Sequence, residues 1–149
     1  MKTTSDYPAI RRANVQDMVA LKQCIDRAYA PVKKRLPDLP DVSGGLDTDI
    51  AEKFVFIAEL GEAIAGCAIL GITETEAHLA NIAVDPDMKG MGVGRQLMTF
   101  VEDFARQNKV RELHLATHVK MPENVALYQH LGWHETSKSG NKVLMRKLL

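Results

Sequence analysis

Apolar residues recur along the chain with two different periods. In two long stretches, Val15–Ala28 and Val93–Ala105, they return every three or four residues, which predicts two amphipathic helices. Asn14 precedes the first stretch and Asp17 follows three residues later, the arrangement of a helix N-cap with a capping box. We expect the first helix to end near Pro31, because proline removes a backbone donor.

In shorter stretches the apolar and β-branched residues alternate or run together, which predicts strands. Gly61-Glu62 and Ser139-Gly140-Asn141 separate two pairs of these stretches as hairpin turns. The predicted strands are Ala9–Arg12, Phe54–Leu60, Ala63–Thr73, Glu76–Val84, Leu113–Thr117, Trp133–Thr136 and Val143–Leu148. A short third helix is predicted over Asn124–Leu131, with Gly132 as its stop signal.

The order of these elements defines the expected fold class. Consecutive hairpins mixed with strand-helix-strand units predict an α/β (α+β) fold, with a single mixed, mostly antiparallel sheet of six to seven strands and helices on both faces. A chain of 149 residues suits one domain with its own core, and we expect residues 1–149 to form it.

The segment Pro31–Asp49 differs from the rest of the chain. It contains three prolines, the pair Gly44-Gly45, a basic run at Lys33–Arg35 and four aspartates. We expect a long connection, which has room for a helical turn. Long connections within compact domains often carry function, and a solvated surface loop is the alternative.

Composition narrows the classes of function. Lys and Arg together number 19, as do Asp and Glu, so the basic excess of a general nucleic-acid-binding protein is missing and no nucleic-acid partner is expected. Cys24 and Cys67 lie in apolar patterns without metal-ligand spacing, which predicts buried thiols and no metal site. Met1–Pro8 lacks the apolar core of a secretory signal, and the most apolar stretch, Ala63–Ile72, is too short to cross a membrane. We therefore expect a cytoplasmic protein with no membrane partner.

The most informative chemistry lies between the strand ending at Val84 and the second long helix. Gly90, Gly92 and Gly94 alternate there, and Lys89 and Arg95 flank them. Glycines allow the backbone to approach an anion closely, and a helix start offers unpaired N–H groups with partial positive charge. The pattern predicts a site for phosphate or pyrophosphate. The alternative is a glycine-rich connection with no ligand.

Two familiar nucleotide motifs do not fit this turn. The P-loop requires Lys-Ser/Thr after its last glycine, and the dinucleotide fingerprint requires Gly-x-Gly-x-x-Gly early in a βαβ unit. Here the glycines read Gly-x-Gly-x-Gly after a long antiparallel section.

The turn and its surroundings resemble the GNAT superfamily of N-acetyltransferases. Lys89–Gly94 is similar to that family's pyrophosphate motif, Gln/Arg-x-x-Gly-x-Gly/Ala, with Lys in the first place. Leu79–Pro86 resembles the strand that precedes the motif, and Asn124–Tyr128 with Leu131–Trp133 resembles the family's Asn-x-Ala-Leu-Tyr helix followed by Gly-Phe. The chain also resembles a subgroup that carries Thr-His-x-x-Met-x-Glu-Asn, matched by Thr117-His118, Met121 and Glu123-Asn124.

The resemblance implies direct transfer of an acetyl group from acetyl-CoA, as co-substrate and without a metal, to an amine. It places the pantetheine arm along the strand that ends at Val84, with the thioester oxygen near the N–H groups of Ala83 and Val84, which would act as an oxyanion hole. Asn124 would bind the coenzyme arm or cap its helix. The implied coenzyme-binding residues are Ile82, Ala83, Val84, Lys89, Gly90, Met91, Gly92, Val93, Gly94, Arg95, Asn124 and Tyr128.

Two catalytic residues follow from the same resemblance. Tyr128 would protonate the departing thiolate, unless it only packs beside its apolar neighbours. His78 would accept the amine proton directly or through water, with Glu74, Glu76 and His118 as rivals.

The acceptor is the least constrained part of this prediction. We expect a primary amine of a small molecule, bound between the first helix and the Pro31–Asp49 segment, whose aspartates, Asp38 and Asp41 first among them, would attract a cation. The alternatives are a protein or peptide N-terminus, or a non-catalytic acyl-CoA-binding module. A homodimer is compatible with the resemblance.

Overall fold

A computed structural model describes residues 8–39, 43–74 and 76–149. Its seven strands form one sheet in the order β1-β2-β3-β4-β5-β7-β6. The strands are Ala9–Arg12 (β1), Phe54–Leu60 (β2), Ala63–Ile72 (β3), Glu76–Val84 (β4), Glu112–His118 (β5), His134–Ser139 (β6) and Lys142–Leu148 (β7). The helices are Met18–Arg35 (α1), Leu46–Glu52 (α2), Val93–Gln107 (α3) and Pro122–His130 (α4), with short 3-10 turns at Val15–Asp17 and Pro86–Met88. The predicted mixed, mostly antiparallel sheet is confirmed, since β4 and β5 pair in parallel and the other neighbours are antiparallel.

The sheet buries a separate core on each face, as the predicted helices on both sides require. On one face α3 packs its buried stripe, including Leu97 and Val101, against β2, β3 and β4, and the edge of α4 joins the same cluster. On the other face Leu21 and Ile25 of α1 and Leu46 of α2 cover the remaining strand residues. Both cysteines are buried, as predicted.

The first helix differs from its prediction at both ends. Asn14 and Asp17 form the expected capping box, but the first turn is 3-10 and Val15 is 68% exposed, so Val15 is not part of the buried stripe. At the other end α1 continues through Pro31 to Arg35. Pro31 is exposed, so the carbonyl that loses its helical donor lies near solvent, and three basic residues in the last turn suit the negative end of the helix dipole.

The predicted long connection is therefore shorter than the sequence indicated. It contains α2, whose first turn holds Asp47 and Asp49, where carboxylates are favoured by the helix dipole. Asp49 also pairs with Lys53 at 3.2 Å. Two of the four aspartates that we expected to attract an acceptor thus stabilise a helix. Asp38 is exposed, and Asp41 lies outside the described residues, as does all of Met1–Pro8 except Pro8.

The central strand β4 contains a bulge and pairs with its neighbour β5 over only part of its length. Ile69 of β3 pairs with Asn81, but the adjacent Leu70 pairs with Leu79, so Ala80 is an extra residue and forms a bulge. On its other side β4 pairs with β5 only over Glu76–His78. The two strands separate beyond that point. No helix in the described part of the chain is long and apolar enough to span a membrane.

Candidate active site

The separation of β4 and β5 opens a cavity of about 660 Å³. Its walls come from both faces of the sheet, with α1 on one side, α3 and α4 on the other, and the end of β4 between them. The lining residues are Ala28, Tyr29, Pro31, Val32, Arg35, Ile82, Ala83, Val84, Met88, Lys89, Gly90, Gly92, Val93, Gly94, Arg95, Met98, Met121, Glu123, Asn124, Leu127, Tyr128 and Leu131. All predicted coenzyme-binding residues except Met91 are among them. Met91 is 48% exposed on the outside of the turn.

The glycine turn has the backbone conformation that its sequence indicates. Gly90 and Gly92 have φ angles of +83° and +79°, which disfavour any residue with a Cβ. A Cβ on either would meet nothing within 4 Å, so the space above the turn is open. Gly92 is the N-cap of α3 and provides no side-chain cap, which leaves the first N–H groups of the helix directed at the cavity. This end of the cavity is built to receive an anion.

The charged side chains around the turn also favour an anion. Two carboxylates precede the glycines, and Arg27 of α1 pairs with both, at 3.2 Å to Asp85 and 2.9 Å to Asp87. The pKa of Arg27 is raised by these charges, that of Asp85 first. Among the ion pairs of the described residues, neither Lys89 nor Arg95 takes part. Arg27 thus offsets part of the negative charge of these acids, while Lys89 and Arg95 line the cavity.

The end of β4 forms the floor of the cavity. Its backbone is held on one side by β3, where Cys67 pairs with Ala83 and Gly66 with Val84. The edge toward β5 is not paired with that strand beyond His78. An extended chain laid in the split therefore meets a strand edge that can take another partner.

The helix α4 contributes the polar side chains of the opposite wall. Asn124 donates to Thr117 Oγ1 at 3.5 Å and lies 4.0 Å from Met121 Sδ. Met121 occupies the N-cap position, so Asn124 does not cap α4. The predicted capping role of Asn124 is therefore wrong, and its contact with the coenzyme arm stays a prediction.

Tyr128 lies on the same wall, edge-on to Trp133 with 5.9 Å between ring centroids. Burial raises the pKa of Tyr128 well above its usual value, and the nearby Tyr29 raises it further. The phenol is therefore fully protonated at neutral pH. Tyr128 thus lines the cavity with its proton in place, which the predicted general-acid role requires.

An ion pair ties the two helical walls together. The Arg35 guanidinium, at the end of α1, donates to the Glu123 carboxylate and, at 3.4 Å, to the Lys120 carbonyl. Both Arg35 and Glu123 line the cavity, and their side chains are 52% and 50% exposed. The pKa of Glu123 is lowered by this bond. We call this contact the α1–α4 bridge.

The four base candidates lie outside the cavity lining. The His78 ring stacks obliquely on His114, 5.4 Å between centroids, at the last paired position of β4. Glu74 is exposed, and His118 Nδ1 accepts from the Lys120 N–H at 3.0 Å. The structure therefore brings the predicted acid to the cavity but not the predicted base.

Glu76, the fourth candidate, belongs to a cluster beside His78. Its carboxylate lies within 4.8 Å of the ligand atoms of Glu112 and His114, a group with the composition of a cation site. Glu112 is also 3.9 Å from the Arg146 guanidinium and 3.2 Å from His114 Nε2. The Arg146 guanidinium thus contributes positive charge beside the Glu112 carboxylate.

Several lining residues were missed by the sequence analysis. On α1 they are Ala28, Tyr29, Pro31, Val32 and Arg35, and on α4 they include Glu123 and Leu127. Ala28, Val32 and Arg35 are spaced so that they share one face of a helix, and this spacing is present in the sequence. The sequence analysis did not use it for Val32 and Arg35, because the helix was expected to end at Pro31.

Comparison with known proteins decides the family. The profile of the Acetyltransferase (GNAT) family matches residues 20–133, more than half of the chain. The chain belongs to the GNAT family. The match includes the cavity walls from Ala28 of α1 to Leu131, so the site described above is the part that the family shares.

Individual relatives agree with this assignment. The chain is 36% identical over 74 residues to the ribosomal protein bS18-alanine N-acetyltransferase of Escherichia coli K12, 50% of each chain, and thus spans about half the length of that relative. It is 25% identical over 134 residues to an uncharacterised N-acetyltransferase of the same strain, 88% of this chain and 78% of the relative.

Solved structures share the fold. The PaiA N-acetyltransferase of Thermoplasma acidophilum, in complex with coenzyme A, superposes with a TM-score of 0.86 at 15% identity over 95% of this chain and 98% of its own. The ribosomal-protein-S18-alanine N-acetyltransferase of Escherichia coli superposes with a TM-score of 0.77 at 24% identity over 94% and 92%. At these identities the likeness supports the GNAT fold.

Proposed function

We propose that this GNAT protein transfers the acetyl group of acetyl-CoA directly to the primary amine of a small molecule. The observation that carries the proposal is the convergence of three elements on one cavity: an anion-binding turn, an open strand edge and a buried phenol. Each suits a different part of an acyl-CoA substrate, in the order in which those parts occur.

The coenzyme would bind along the floor of the cavity. Lys89, Arg95 and the N–H groups at the start of α3 would hold the pyrophosphate. The pantetheine amides would pair with the free edge of β4, and Asn124 would bind the arm from α4. The thioester oxygen would then lie near the N–H groups of Ala83 and Val84, which would stabilise the oxyanion.

Tyr128 would complete the reaction at sulfur. As the amine nitrogen bonds to the carbonyl carbon, the carbon–sulfur bond breaks and the sulfur takes the electron pair. The protonated phenol donates its proton to that thiolate. For the other proton we propose His78, acting through water, because its ring lies at the point where β4 and β5 begin to separate rather than in the cavity itself.

The size of the acceptor is suggested by the α1–α4 bridge. Arg35 and Glu123 connect two walls of the cavity. A small amine can occupy the space between α1 and β4 while the bridge is intact. An extended polypeptide that entered between α1 and α4 would meet this bridge.

A protein acceptor is the second candidate. It is favoured by the 36% identity with the ribosomal protein bS18-alanine N-acetyltransferases. That identity covers 74 residues, about half of each chain.

The release of free thiol from acetyl-CoA, measured over a panel of acceptors, tests the proposal. The panel holds polyamines, aromatic and aliphatic monoamines, amino acids and a hexapeptide beginning with alanine. We expect kcat/KM for at least one small amine to exceed that for the peptide tenfold or more. The opposite order would assign the protein acceptor, and no thiol release above the hydrolysis rate would overturn the enzyme assignment.

A further inference from the structure

The cavity contains a second phenol, which the proposed chemistry does not use. Tyr29 lies on α1 and lines the cavity from the side opposite α4. It is close enough to Tyr128 that a negative charge on Tyr29 would raise the pKa of Tyr128. Two phenols thus face the same reaction space from different elements.

The hydroxyl proton of Tyr29 is already used in a hydrogen bond within the protein. Tyr29 Oη donates to Asn81 Oδ1 at 3.0 Å. Burial raises the pKa of Tyr29 to about 12, so the proton stays on the oxygen at neutral pH. A phenol carries one proton, and once that proton points at Asn81, the oxygen presents only lone pairs in other directions.

Asn81 is well placed to fix this orientation. It is 9% exposed, and it follows the bulge residue Ala80 on β4, paired with Ile69 of β3. Asn81 itself does not line the cavity. It lies behind Tyr29, on the strand whose next residues form the cavity floor.

We propose that Tyr29 is an acceptor-binding residue whose oxygen accepts a hydrogen bond from the attacking amine, and that Asn81 is the positioning residue that makes it an acceptor. The two phenols then have opposite roles, since Tyr128 donates to sulfur and Tyr29 accepts from nitrogen. This inference rests on the proposed acetyl transfer to a primary amine.

The role follows from the hydrogens that the amine carries. A neutral primary amine has two N–H groups and attacks with its lone pair. One N–H proton is lost to the base as the amide forms, and the other remains in the product. That second N–H can donate to Tyr29 throughout the reaction and so aim the lone pair at the thioester carbon. A secondary amine has one N–H, which the base removes, and keeps none for Tyr29.

The experiment compares Tyr29→Phe with the unaltered protein on two acceptors, the fastest primary amine of the thiol-release panel and its N-methyl derivative. The substitution keeps the ring and removes the hydroxyl. We expect the primary amine to lose about fivefold in kcat/KM, mainly through KM, as one neutral hydrogen bond allows. The N-methyl derivative should lose less than twofold, and the thermal shift with acetyl-CoA should be unchanged.

Asn81→Ala provides the second variant, because it leaves the phenol in place but frees its proton. It should reduce the preference for the primary over the secondary amine as much as Tyr29→Phe does. The double variant should reduce it no further. Tyr128→Phe is the matched control, since it also removes one phenolic hydroxyl from the cavity but should lower kcat equally for both amines.

An equal loss for both amines in Tyr29→Phe would reduce Tyr29 to a packing residue and overturn the inference. The acetyltransferase proposal would stand in that case, because the parent protein would still turn over both. Failure of the parent protein to release thiol is a different result and concerns the proposed function alone.

Discussion

The two ends of the cavity are formed by different kinds of groups, backbone at one end and side chains at the other. At the end where we propose that the coenzyme binds, which we call the coenzyme end, the groups that form the cavity belong largely to the backbone, namely two positive-φ glycines, the first N–H groups of α3 and the edge of β4. At the acceptor end they are side chains of two helices far apart in sequence. Arg35 and Glu123, which meet there, are 88 residues apart.

The difference has a physical reason. A pyrophosphate and a pantetheine arm are the same in every reaction of this kind, so a rigid backbone can hold them permanently. An acceptor varies from enzyme to enzyme, and side chains on helix surfaces can change without altering the sheet. The coenzyme end should therefore tolerate few substitutions, and the acceptor end should tolerate many with graded effects.

The largest expected effect lies where the two ends meet. Tyr128→Phe should lower kcat about a hundredfold, the effect of removing a general acid, while acetyl-CoA still binds. Because burial raises the pKa of Tyr128, the acid form persists as pH rises, and this group should cause no loss of kcat up to pH 10. Steady-state kinetics between pH 6 and 10 measure both the loss of kcat in the variant and the pH dependence of kcat in the unaltered protein. A variant with normal kcat would remove Tyr128 from the chemistry.

A smaller effect is expected from the glycine turn. Gly92→Ala should weaken acetyl-CoA binding tenfold or more, because a methyl group enters the open space over the turn and the positive φ becomes strained. Gly140→Ala is the matched control, since Gly140 also has a positive φ of 60° with nothing within 4 Å, but lies in the β6–β7 turn. Titration calorimetry should show a change in affinity only for Gly92→Ala. Equal affinities in the two variants would contradict the coenzyme site.

The smallest effect should come from the α1–α4 bridge. An ion pair between half-exposed groups contributes about 1 kcal/mol or less, so Arg35→Ala should change KM for the amine by no more than about fivefold. Arg106→Ala is the control, because Arg106 on α3 is 49% exposed and ion-paired but lies away from the cavity. It should leave KM unchanged. The exchange Arg35→Glu with Glu123→Arg should restore part of what either single change loses, and additive losses would mean that the bridge has no role.

The same contrast explains what the sequence could predict. The glycine turn, the strand β4 and the helix α3 were predicted to within a residue or two, because glycine spacing and apolar periodicity are local signals. The bulge at Ala80 was missed. It depends on how Leu79 and Asn81 pair with β3, which the sequence of β4 alone does not encode.

The acceptor end escaped prediction for a related reason. The rule that proline ends a helix is local, whereas α1 continues past Pro31 to Arg35, whose guanidinium pairs with Glu123 on α4. From the sequence alone, Tyr29 on an amphipathic helix is interpreted as a core residue. Only its hydrogen bond to Asn81, seen in the structure, distinguishes it from an ordinary core tyrosine.

The thermal midpoint with and without acetyl-CoA tests the central claim most directly, with ATP and NAD as controls and Gly92→Ala alongside. At about 100 times its Kd a ligand adds about 2.7 kcal/mol to the free energy of unfolding. For a domain of this size that corresponds to a rise of about 5 °C or more. The account predicts this rise for acetyl-CoA alone, and at the same concentration a rise reduced to about half or less in Gly92→Ala, since a ligand at about 10 times its Kd adds only about 1.4 kcal/mol. No rise at saturating acetyl-CoA, or an equal rise in the variant, would contradict the coenzyme site between β4 and α3.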